Sequence, residues 1–104
     1  MSQKNARNFT VDTYTNDTWK TLVDCQADIS CIIVTNTSGG SLNASIQLAT
    51  VAGVKRAVMM SAKAVAAGES YTFEIPGFKV ASGDVIQVKG SGAGLEFIAS
   101  GEER

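Results

Sequence analysis

From Phe9 to Ser100 the chain is cut into short runs of β-branched and aromatic residues by clusters of Gly, Asn, Asp and Ser, at intervals of about ten residues. No other feature constrains the fold as much, because such spacing marks an antiparallel sandwich or jelly roll. Phe9–Thr15 and Trp19–Val23 read as strands, the second with Trp19, Thr21 and Val23 on one face. Ile29–Asn36 is apolar on both faces in its middle and belongs at the centre of a sheet. Thr37-Ser38-Gly39-Gly40-Ser41 is a turn, so this strand and Ala44–Ala49, with Ile46 and Leu48 inward, read as a hairpin. Tyr71–Ile75 alternates up to Pro76-Gly77, which reads as a strand end, and Phe78-Lys79-Val80 follows. Ile86 and Val88, and then Leu95, Phe97 and Ala99, fall on inward parity, as does Phe73. Gly90-Ser91-Gly92-Ala93-Gly94 between them reads as a hairpin loop.

Residues 54–67 fit two readings. Many are helix formers, and a helix ending at Gly68 is one of them. A strand around Arg56–Met60 followed by an irregular link is preferred, because everything on either side is β. The expectation is therefore an all-β chain of about seven or eight short strands, an antiparallel β-sandwich of jelly-roll type. Residues 1–8 are expected to be a flexible polar arm and residues 9–104 a single sandwich domain.

Composition narrows the chemistry. With 104 residues the chain has room for one modest core. There is no His, which removes Ser-His-Asp, Cys-His and two-His metal sites. Nine Lys and Arg against ten Asp and Glu leave a net charge of −1, against the expectation for a nucleic-acid binder. No apolar run reaches the roughly 20 residues of a membrane helix, so no membrane partner is expected. Met1–Asn8 lacks the apolar stretch of a signal peptide, which sets the expectation of synthesis in a cytoplasm. The glycines at 90–94 lead into a strand and lack the Lys-Ser/Thr ending of a phosphate loop. Asp24 and Asp28 flank Cys25 in what reads as a loop, but no bidentate Glu completes a cation site. No Gly-x-Ser-x-Gly elbow exists. No catalytic residue, cofactor or metal is expected, and the chain reads as a non-enzyme.

Four kinds of residue are candidates for contact with partners. Cys25 and Cys31 fit neither zinc spacing nor a C-x-x-C motif. On one straight strand they would sit about 20 Å apart; across a loop they would face each other; a bond between subunits is the third alternative. Lys4 and Arg7 belong to the arm, Trp19 suits a core or an interface, and Asp24 and Asp28 occupy the loop. Lys55, Arg56 and Lys63 form the one local basic cluster, fit to pair with an acidic neighbouring subunit or to lie in a solvated loop. The Asn-x-Ser/Thr triplets at Asn8, Asn16, Asn36 and Asn43 read as turn chemistry, in which short polar side chains bond nearby backbone.

The order of several pieces carries a resemblance. Trp19-Lys20-Thr21-Leu22 leads to "IIVTNTSG" at 32–39, then come "VAAGESY" at 65–71, "VASGDVIQV" at 80–88 and a closing Gly94–Glu102. This succession, over about residues 19–103, resembles small β-sandwich structural proteins of tailed bacteriophages, the accessory proteins of capsids, collars, tails and fibres. The resemblance implies a virion component, assembled in the bacterial cytoplasm, that decorates or connects repeated subunits by self-association. Its partners would be further copies of itself and other virion proteins, such as capsid, portal, collar or tail subunits. It transfers no catalytic residue. The sequence departs from the pattern at Val23–Asp28, where a Pro-Ala-Gly type turn is usual, and in its two cysteines. An alternative is a carbohydrate- or host-receptor-binding module of a tail fibre or spike, with Trp19 or Tyr14 as stacking residue. No sequence feature specifically supports a glycan partner.

Overall fold

The computed structural model describes residues 5–12, as backbone, and residues 19–103. They form eight strands: β1 (Asn5–Asp12), β2 (Lys20–Val23), β3 (Ala27–Asn36), β4 (Leu42–Thr50), β5 (Lys55–Val65), β6 (Ser70–Val80), β7 (Asp84–Gly90) and β8 (Leu95–Glu103). Two four-stranded sheets result, in the orders β1-β8-β3-β6 and β2-β7-β4-β5. Every pairing is antiparallel. The chain is a β-sandwich of jelly-roll topology, as the punctuation of the sequence predicts.

Alternation builds the core from both inner faces. Ile29, Ile32 and Val34 of β3 and Leu95, Phe97 and Ala99 of β8 meet Ile46 of β4 and Ile86 and Val88 of β7, all at most 1% exposed. Each large apolar side chain so buried contributes roughly 1.5–3 kcal/mol of transfer free energy. β3 is central in its sheet, between β8 and β6, as expected, and its outward residues Cys31, Ile33 and Thr35 are half-buried. Leu48 and Phe73, expected inward, are only half-buried, and Phe73 lies on an edge strand. In β2 a register shift between Thr21 and Val23 breaks the expected alternation, so Leu22 and Val23 are both buried and Thr21 is exposed.

Several connections differ from the sequence reading. β3 and β4 do not form a hairpin, and neither do β7 and β8; each pair is split between the two sheets. Their Gly- and Ser-rich segments are arches over the end of the sandwich. Among the described strands, β4 and β5 are the one pair that is adjacent both in sequence and in a sheet. Residues 55–65 form strand β5 rather than a helix. The irregular link expected after Met60 is a bulge: Met60 pairs Ile46, Lys63 pairs Ala44, and Ala62 between them has φ 49°. Pro76-Gly77 does not end a strand but sits in a register break within β6. An edge strand tolerates it because one side needs no ladder hydrogen bonds. β1 begins at Asn5, so Asn5–Asn8 of the expected arm pair with Ser100–Glu103 of β8. Backbone pairing does not depend on the polarity of those side chains.

One buried polar residue ties the β3–β4 connection to the β5–β6 connection. Asn36 is completely buried at the end of β3. Its Nδ2 donates to the carbonyls of Val65 and Gly40, both at 2.8 Å. Its Oδ1 accepts from Ser38 N at 2.9 Å and Ser38 Oγ at 2.7 Å. Its backbone N–H donates to Glu69 and its carbonyl accepts from Gly68, both at 2.9 Å. The turn chemistry expected at Asn36 is present, and the same side chain also reaches the end of β5.

Candidate functional site

The residues marked for partner contact lie on different parts of the surface. Cys25 is in the short β2–β3 connection, half-buried, and packs against the core. Cys31 precedes the inward Ile32 on β3, so it lies on the outer face of its sheet, in register with Ser100 on one side and Glu74 on the other. No disulfide joins the two thiols in the structure.

Asp28, expected in a loop, belongs to β3, in register with Lys79 of β6 and Glu102 of β8. The Lys79 ammonium lies 3.6 Å from its Oδ1. Asp24 is exposed in the connection that precedes β3. Among the described residues no group of three His, Cys, Asp or Glu is placed to share a metal ion. Trp19 is half-buried ahead of β2, with the Lys89 ammonium 4.8 Å from its ring centroid. This cation–π contact fixes the start of β2 against β7 and is worth about 0.5–2 kcal/mol. Lys89 also helps line an open cavity of about 240 Å³ with Asn43, Ser45, Ser61 and Ser91. Around it Ser45 Oγ accepts from Ala62 N at 3.0 Å, and Ser91 Oγ accepts from Asn43 N at 2.9 Å. These hydroxyls hold backbone; none has an imidazole to activate it, since the chain contains no His. Lys4 and Tyr14 lie outside the described residues, and Arg7 is described only as a β1 position opposite Gly101.

The surface that sequence reasoning undervalued is β5. Its basic residues lie on a strand, not in a loop. The strand is the last in its sheet and is exposed along most of its length. Val51, Val54 and Val58 are 73%, 63% and 52% exposed. The available signal was the failure of Lys55–Val65 to alternate, which a strand with one buried face would do.

No protein-family model matches the chain. No curated protein matches it in sequence. Among solved structures it is similar to PirA, at 16% identity and a TM-score of 0.50, over 99% of this chain and 97% of the other. It is also similar to a structure from the Bacillus endospore appendages, a family of disulfide-linked pili, at 20% identity and a TM-score of 0.51, over 98% and 90% of the two chains. At such identities the likeness is one of fold, and it extends over the whole jelly roll.

Proposed function

We propose that this chain is a non-enzymatic structural subunit that acts by repeated self-association. We further propose that the assembly belongs to a tailed-phage virion, where the subunit decorates or connects capsid, collar or tail proteins. The observation that carries the first statement is the pair of thiols. Cys25 and Cys31 are partly exposed, not joined to each other, and lie on different elements, the β2–β3 connection and the outer face of β3. A chain so equipped can bond a different neighbour through each. The fold it shares with a subunit of disulfide-linked pili supports this reading. The phage assignment is supported by the succession of sequence pieces from Trp19 to Glu102.

The test is native mass and non-reducing electrophoresis, with and without reductant. Oxidised wild-type protein is expected to give covalent multimers that reductant dissolves. The Cys25→Ser/Cys31→Ser variant is expected to lose them while its Tm in reductant stays within several degrees, since both thiols are only half-buried, at about 0.5–1 kcal/mol per site. If that variant assembles under oxidising conditions with unchanged stability, the cross-link plays no part.

The N-terminal segment is proposed to meet the partner subunit. Asn5–Asn8 already pair with β8, so deletion of residues 2–4 is the informative truncation. It should reduce incorporation into particles with little change in monomer Tm. A second reading, a glycan- or receptor-binding module, draws on the half-buried Trp19 beside the hydroxyl-lined cavity. Titration with host glycans would quench or shift Trp19 fluorescence if it holds, and unchanged fluorescence counts against it.

A further inference from the structure

The outer face of the β2-β7-β4-β5 sheet carries a polar row whose members are set by register. Ala44 and Ile46 of β4 are completely buried, so Ser45 between them points outward. On one side Ser45 stands opposite Lys89 of β7. On the other side β5 supplies two residues where a regular ladder supplies one. Lys63 pairs Ala44 and Met60 pairs Ile46, so Ser61 and Ala62 together oppose Ser45. Bulges of this kind re-aim side chains and are common beside functional sites. Ala62 has φ 49°, in the left-handed region that an alanine rarely adopts. Such strain persists where the surroundings over-determine it, and it clusters at ligand sites. The Ser45 hydroxyl holds this backbone in place, accepting from Ala62 N at 3.0 Å.

The row borders the open cavity of about 240 Å³ described above, and the chemistry of that cavity is one-sided. Among the described residues that line it, Lys89 carries the one charge and none is a carboxylate. A serine hydroxyl has one proton to donate and two lone pairs to accept. Ser45 Oγ and Ser91 Oγ each already accept a backbone N–H, from Ala62 and Asn43 respectively. Each hydroxyl therefore keeps its proton for a further acceptor. The Lys89 ammonium lies 4.8 Å from the Trp19 ring centroid, a contact that holds its long side chain on this side of the sheet. A held cation and two hydroxyl protons in one concavity select an anion.

We infer that this cavity binds one acidic sugar residue, a hexuronic acid of a polysaccharide. Lys89 and the Ser45 hydroxyl beside it take the carboxylate. The Asn43 amide, which offers both a donor and an acceptor, and the hydroxyls of Ser61 and Ser91 take the ring hydroxyls. Size favours a sugar. The cavity is smaller than the roughly 300–1,000 Å³ of sites for drug-sized ligands, and it is larger than a carboxylate group fills. An acidic side chain from a neighbouring subunit would offer Lys89 the same charge, but it would leave Asn43, Ser61 and most of the volume unused. The inference rests on the glycan-binding reading and deepens it by naming the charge of the sugar. It uses neither thiol, so it stands beside self-association without depending on it.

The experiment titrates full-length, isotope-labelled chain in reductant with methyl glucuronide, methyl glucoside and acetate, and follows backbone amide shifts by NMR. The amides of Ala62 and Asn43 report on the site, because they donate to the two serine hydroxyls. The glucuronide is expected to move both amides and to bind at least about tenfold more tightly than the glucoside. Raising the ionic strength from about 0.05 M to about 0.5 M should weaken the glucuronide and leave the glucoside unchanged. Lys89→Gln is expected to bring the glucuronide down to the affinity of the glucoside. That variant also loses the contact with Trp19, so Ser61→Asp is the second probe. Ser61 is exposed, and an acid there sets a like charge at the mouth of the cavity. It should weaken the glucuronide at least about tenfold in a chain whose circular dichroism is that of wild type. Equal binding of both sugars overturns the acidic-sugar inference and leaves the glycan reading standing. Acetate that binds as tightly as the glucuronide shows that a bare carboxylate suffices, and overturns the inference in favour of a neighbour's acidic side chain. Wild-type glucuronide affinity in both variants places the binding elsewhere and overturns it too. If neither sugar moves any amide at about 20 mM, the inference and the glycan reading both fall, and self-association, tested by native mass, is untouched.

Discussion

Replacing Asn36 with alanine is expected to lower stability by about 2–4 kcal/mol, or about 10–25 °C in Tm for a domain of this size. The size of the effect comes from what is left behind. Alanine strands the Val65 carbonyl, whose hydrogen bond with Nδ2 is buried, and removes the acceptor for Ser38 N and Oγ. A buried polar group left without a partner costs about 1–3 kcal/mol, more than the net worth of a typical hydrogen bond. Two segments loosen together, the 37–41 arch and the end of β5, while the backbone bonds of residue 36 to Gly68 and Glu69 remain. Asn36→Asp is a sharper probe. It keeps the acceptors for Ser38 but turns a donor into a carboxylate oxygen facing two carbonyls. Burial raises the folded-state pKa of the introduced acid above its unfolded value of about 3.9. Relative to Asn36→Ala, the Asp variant should then be most stable below about pH 4 and lose that advantage as pH rises through its folded pKa. Thermal melts of the three proteins from acid to neutral pH measure both effects; an Asn36→Ala melt within 3 °C of wild type would refute the account.

Gly101→Val should do more damage, and its physical basis is different. Gly101 lies in β8 between Arg7 of β1 and Ile29 of β3, where the β3 register is broken around Ser30. A Cβ built there would sit 2.1 Å from the Asp28 carbonyl oxygen and 2.9 Å from Ile29 Cα. Both obstacles are backbone in the middle of a sheet, so neither can swing away. Relief requires separating β8 from β3, at a cost of at least about 3 kcal/mol even for alanine. A small domain holds only about 5–15 kcal/mol in total, so valine is expected to give little folded protein at 37 °C. Gly40→Ala is the control, since a Cβ at that position meets nothing within 4 Å. It should melt within a few degrees of wild type. Soluble, cooperatively melting Gly101→Val protein with wild-type Tm would contradict the packing described.

The sequence by itself determined where most strands lie and the inward faces of those that alternate cleanly. Period-2 alternation is a local property, readable wherever one face is buried, so Ile86, Val88, Leu95, Phe97 and Ala99 could be placed from the chain alone. The run Ile29–Asn36, apolar on both faces in its middle, announced a central strand, and β3 is one. Alternation fails where both faces are exposed, which is why a helix remained an alternative to the preferred strand over Lys55–Val65. Tertiary structure alone decided which strands pair. A Gly- and Ser-rich segment looks the same whether it closes a hairpin or arches between sheets, and the segments at 37–41 and 91–94 do the latter. The choice is made by contacts distant in sequence, such as β1 with β8 and β3 with both β8 and β6. The candidate surfaces follow the same division. The basic residues of β5, the carboxylates of β8 and the two cysteines are all visible in the chain. That the basic strand β5 ends one sheet while β8 lies inside the other depends on the order of strands in the folded sandwich.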